Sequence, residues 1–195
     1  MALTAAAVLA CALLVYASGP WWGAPATRAD RLWAAGLTVI VGLGTGWVFM
    51  RPGDIEWFAP FVGLLAVVAV VDRTHQIIPN RLVALMGVWA IAARFHYGHW
   101  LSAALVAVAV FLFYLAVNLI SHGGLGMGDV KFSAVLALAL GYPAGLVSVV
   151  LGIWTAGLYA LALLLLSRRR RNQLMALGPF LALGGLVGLV DMLRK

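Results

Sequence analysis

Two carboxylates in this sequence have the setting that acid–base hydrolysis requires. Asp72 closes the apolar run Val67-Val68-Ala69-Val70-Val71 and leads into Arg73-Thr74-His75-Gln76-Ile77-Ile78-Pro79-Asn80. Asp129 ends the glycine-rich stretch Gly123-Gly124-Leu125-Gly126-Met127-Gly128 and precedes Val130-Lys131 and more apolar sequence. Between them lie two hydrophobic segments, roughly residues 81–95 and 100–120, each expected to cross a bilayer. Two crossings return the chain to the side it left, so both aspartates are expected at one membrane face. Like charges about 3 Å apart do not both ionise cheaply, so such a pair shares one proton. The ionised member then takes a proton from water while the neutral one protonates a carbonyl oxygen.

Helix ends give a first expectation for where that proton sits. Asp72 is expected just beyond the C-terminal end of the third span, where unpaired carbonyls disfavour an anion. Asp129 is expected at the start of the sixth, where free N–H groups favour one. On this reading Asp72 is the acid and Asp129 the base. The neighbouring glycines would allow unusual backbone angles and close approach of a substrate strand. Lys131 either pairs with an aspartate, contacts substrate or simply marks the membrane surface. Pro79 cannot continue a helix from residue 72, and Asn80 is suited to capping the next one. His75 and His122 each share a loop with one aspartate, so a metal-dependent hydrolase using two histidines and two aspartates is an alternative. A proton-coupled transporter is another, since acids within membrane segments often line such pathways.

The elements that must carry these residues are apolar helices. The chain has 195 residues, 65% of them hydrophobic and 10% charged, which excludes an ordinary soluble globule. The expected fold is all-α, a polytopic bundle of about eight spans near residues 2–18, 32–50, 55–71, 81–95, 100–120, 130–142, 144–166 and 174–193. One integral membrane domain is expected, residues 1–50 forming two accessory spans and 55–195 a six-span core. The first apolar run has no Lys or Arg before it, so a retained span is favoured over a cleaved signal peptide. Arg51-Pro52-Gly53-Asp54 reads as a turn. Gly178-Pro179 reads as a kink within the eighth span, and Asn118 as a possible interhelical hydrogen-bonding residue.

Net charge is +7, yet the basic residues adjoin the spans, which argues for membrane topology and against nucleic-acid binding. With eight spans, Arg28, Arg31, Arg73, Arg81, Lys131 and Arg168 to Arg171 share one face. Only Arg51, Arg94, Arg194 and Lys195 fall on the other. The positive-inside rule makes the first face cytoplasmic, and both aspartates lie on it. The lone Cys11 lies in an apolar run and offers neither a disulfide nor a metal site.

Three motifs, in order, resemble the type IV prepilin peptidases, aspartyl enzymes of the G-x-G-D kind. They are Asp72 with Ile78-Pro79-Asn80, Gly126-Met127-Gly128-Asp129, and Leu177-Gly178-Pro179-Phe180. The resemblance runs from about residue 55 to the C-terminus. It implies a membrane endopeptidase with Asp72 and Asp129 catalytic and Gly126, Gly128, Lys131, Pro79 and Asn80 in support, needing no metal or other cofactor. It further implies prepilins or pilin-like precursors as substrates, cut after a short basic leader at the cytoplasmic side of a prokaryotic inner membrane. Many such enzymes carry an N-terminal region with paired cysteines associated with N-methylation. This sequence does not show it, so the peptidase alone is implied.

Overall fold

The computed structural model describes residues 2–19, 22, 26–49, 55–166 and 176–193. Within them the chain is all-helical: α1 (Ala2–Ala17), α2 (Arg28–Phe49), α3 (Ile55–His75), α4 (Asn80–Tyr97), α5 (Trp100–Ile120), α6 (Met127–Leu140), α7 (Ala144–Leu166) and α8 (Gly178–Leu193). The expected turn at Arg51 to Asp54, the basic run Arg168 to Arg171, and Arg194 and Lys195 lie outside the described residues. Three stretches, Phe58–His75, Trp100–Ile120 and Ala144–Leu166, are long and apolar enough to cross a membrane; Val8–Ala17 and Gly178–Leu193 are shorter apolar helices.

Local sequence sets the helix ends. Thr27 and Asp30 cap α2 reciprocally: the Thr27 N–H donates to Asp30 Oδ2 at 2.9 Å and the Asp30 N–H to Thr27 Oγ1 at 3.2 Å. Gln76 turns left-handed (φ 55°) and ends α3. Residues 77–79 are non-helical, and Pro79, at φ −64° and ψ 136°, leads into α4.

The core gathers around α6, which packs against α4, α5, α7 and α8, while α8 also lies along α3 and α7. Val130, Phe132, Ser133, Leu136, Ala137 and Ala139 of α6 are fully buried. The flanks of α5 and α7 are exposed and strongly apolar, with Leu112, Phe113, Leu119, Trp154 and Leu165 all outward, as a lipid-facing surface would be. α1 and α2 pack on α3.

Arg94 departs from its expected place in an outer loop. It lies in the last turn of α4 and is 3% exposed. Its Nη2 donates to the Ala139 carbonyl at 2.8 Å. The last carbonyls of a helix have no partner within it, and a guanidinium answers that need.

Candidate active site

Asp72 lies within the last turn of α3, not beyond its end, because the helix continues through His75. It is 4% exposed. Its Oδ2 accepts the backbone N–H of Gly178 at 2.7 Å. Gly178 opens α8, where the first N–H groups have no partner inside the helix and the positive dipole end favours an anion. Gly178-Pro179 therefore starts α8 and does not kink a span. Proline suits the first turn because its missing N–H would be unpaired there anyway. A Cβ at residue 178 would stand 2.8 Å from both Cβ and Oδ2 of Asp72, so only glycine admits this approach.

Asp129 lies in the first turn of α6, close enough to Asp72 for the two carboxyls to interact electrostatically. The Gly126 N–H faces it, but its buried Oδ1 has no hydrogen-bond partner among the described residues. The expectation that the proton sits on Asp72 counted only the ends of α3 and α6. The N-terminus of α8 is a third helix end, and it points at Asp72. Each aspartate thus has a backbone N–H of a helix start beside it, Gly178 for Asp72 and Gly126 for Asp129.

The supporting residues act differently from expectation. Of the glycines before Asp129, Gly123 has a positive φ of 85°, whereas Gly126 is at −65°. What Gly128 supplies is space: a Cβ there would lie 3.0 Å from both the Cβ and the carbonyl oxygen of Ile78. That space lets α6 lie against the segment that follows Asp72. Asn80 is no cap, since α4 has Pro79 at the cap position and Asn80 is already helical. Its Oδ1 accepts from the Lys131 ammonium at 3.1 Å, tying the start of α4 to the first turn of α6. Asn118 donates to the Leu125 carbonyl, fixing the loop just ahead of Gly126.

His122 is exposed, in a left-handed conformation (φ 52°), with Nδ1 3.1 Å from the Ile120 carbonyl. His75 is half-buried at the end of α3. Among the described residues no three His, Cys, Asp or Glu side chains gather as a metal would need. A groove of about 540 Å³ between α2, α3 and α8 runs past Pro179 and Thr74, on a side that neither aspartate lines.

Sequence reasoning missed the role of Gly178. Its signal was the Gly-Pro pair itself, which fits a helix start better than a helix interior.

Known proteins place these features in context. The profile of the Type IV leader peptidase family matches residues 59–161, a stretch that includes both aspartates. A prepilin leader peptidase/N-methyltransferase of Bacillus subtilis (strain 168) is 33% identical over 129 residues, covering 65% of this chain and 52% of that protein. The chain thus spans about half the length of the curated relative it matches. No solved structure matches it. Over more than half its length, including both aspartate motifs, the chain belongs to the type IV leader peptidase family.

Proposed function

We propose that the protein is a membrane-embedded aspartyl endopeptidase that removes a short basic leader from type IV prepilins or pilin-like precursors. The observation that carries this reading is that Asp72, bonded to the first N–H of α8, and Asp129, at the start of α6, lie within electrostatic range of each other inside the family match. In the resting pair Asp72 is ionised, supported by the Gly178 N–H, and Asp129 holds the proton. Asp72 takes a proton from the attacking water as its oxygen bonds to the scissile carbonyl carbon. Asp129 gives its proton to the carbonyl oxygen, which yields a neutral gem-diol. On collapse Asp72 passes its proton to the leaving amine, the C–N bond breaks, and Asp129 recovers a proton from a diol hydroxyl.

Gly128 keeps α6 close to the segment after Asp72, and Gly126 leaves room for the Asp129 carboxyl. Lys131, Asn80 and Pro79 hold the two helix starts in register. No metal or other cofactor takes part. The basic face assigned by charge makes the site cytoplasmic, in the inner membrane of a prokaryote, with the bilayer as solvent for the remaining surface. Residues 1–50 form an accessory pair of helices and 55–195 the peptidase core of a single eight-span domain.

Co-expression with candidate pilin-like precursors, followed by N-terminal sequencing of the product, tests this reading. The expected product begins immediately after the basic leader, at the head of the precursor's apolar helix. Precursors that stay intact across a panel of such substrates would overturn it.

A further inference from the structure

Apart from the two aspartates, one buried polar group near the site has no role in the chemistry above. Tyr114 lies in α5, an otherwise strongly apolar helix, and is 2% exposed. Its hydroxyl has no hydrogen-bond partner among the described residues, and neither has Asp129 Oδ1. Buried polar atoms without partners are uncommon in folded proteins, and two within electrostatic range of each other call for a shared explanation.

The helix register brings them together. Asn118 on α5 holds the Leu125 carbonyl ahead of α6. From that point α5 and α6 run antiparallel and packed together. Four residues back along α5 is Tyr114, on the same face as Asn118. Four residues on from Leu125 is Asp129. Tyr114 also lies within electrostatic range of Asp129. The two oxygens do not bond each other directly, and a bridging water would give each a partner.

We infer that Tyr114 is a positioning residue for Asp129, its hydroxyl donating through one bridging water to Oδ1. The inference rests on the dyad reading and extends it. When Asp129 has given its proton to the substrate it is an anion in a buried site, and the tyrosine supplies a donor at that moment. It also fixes the plane of the carboxyl throughout the cycle. Besides Tyr114, the charged group that acts on Asp129 is Asp72 on α3; Lys131, two residues along the same helix, is held by Asn80.

The test is the steady-state kinetics of purified Tyr114→Phe on a pilin-like precursor across pH, beside wild type and Asp129→Asn. Phenylalanine keeps the buried ring, so the helix packing survives. The expected result is a kcat lower by roughly ten- to a hundred-fold with KM little changed, since a hydrogen bond to a charged group is lost. The alkaline limb of kcat should also move up by about one pH unit, because the Asp129 anion has lost a donor. A wild-type kcat, or a lowered kcat with an unmoved alkaline limb, would overturn the inference. Activity retained in Asp129→Asn would overturn the dyad itself, whereas an inactive Asp129→Asn beside a normal Tyr114→Phe rejects the tyrosine alone.

Discussion

At the scale of single residues, the proposed chemistry turns on which carboxyl holds the proton. The Gly178 N–H reaches Asp72 at 2.7 Å, while Asp129 Oδ1 is buried and unpaired. Both carboxyls have a backbone donor at a helix start, Gly178 for Asp72 and Gly126 for Asp129. Only Asp129 also keeps a buried oxygen with no donor among the described residues, which favours the proton there. Because the pair titrates as a unit, the expected outcome is a difference in populations. Isotope-edited infrared spectroscopy of the resting protein should find the protonated carboxyl band chiefly on Asp129, and the band should vanish in Asp129→Asn. The same bond makes Gly178 a sensitive position. Gly178→Ala would place its Cβ 2.8 Å from Asp72 Oδ2 and push α8 away from it. Cleavage per molecule should fall roughly ten- to a hundred-fold, the effect of losing a hydrogen bond to a charge. Normalising activity to the amount of protein in the membrane separates this from a loss of folding.

At the scale of elements, α4 holds α6 at both ends. Asn80 accepts from Lys131 in the first turn of α6, and Arg94 donates to the Ala139 carbonyl in its last. With α6 fixed at both ends, the position of Asp129 is set by the length of two rigid helices and not by its loop. Arg94→Met would keep much of the buried volume but leave that carbonyl unanswered. Thermal unfolding in detergent should show a loss of about 1.5–3 kcal/mol, the range for hydrogen bonds to charged groups. A change within a few tenths of a kcal/mol would remove Arg94 from this role.

The helices themselves were legible in the sequence. Apolar runs, the Pro79 break and the glycines before Asp129 located α3, α4 and α6 to within a few residues. The tertiary partners were not legible. Asn80 reads equally well as a cap, Arg94 as a surface charge and Gly178-Pro179 as a kink, because each residue type has a common local use. Only packing decides that each serves a different helix. The same limit hid one helix end at the site: two were visible in the chain order, and the third reaches Asp72 from 106 residues away.

At the scale of the whole molecule, the acids, their backbone donor and the Lys131–Asn80 tie gather at one end of the bundle. Arg94 secures the opposite end of α6. The outward faces of α5 and α7 are apolar. This polarity is what a peptidase working on membrane-anchored precursors needs: a fixed polar site at one membrane face and a bilayer-matched body beneath it. The central claim is that Asp72 and Asp129 together cleave such a precursor without a metal. The most direct measurement is the cleavage rate of a purified pilin-like precursor in proteoliposomes, with a strong chelator present, by wild type, Asp72→Asn and Asp129→Asn. Wild type should cleave in the presence of chelator, and each asparagine variant should be slower by roughly 10²–10⁴-fold at equal protein level, the usual worth of a general acid or base. Cleavage by either variant at near the wild-type rate, or wild-type activity abolished by chelator and restored by added metal, would contradict the account.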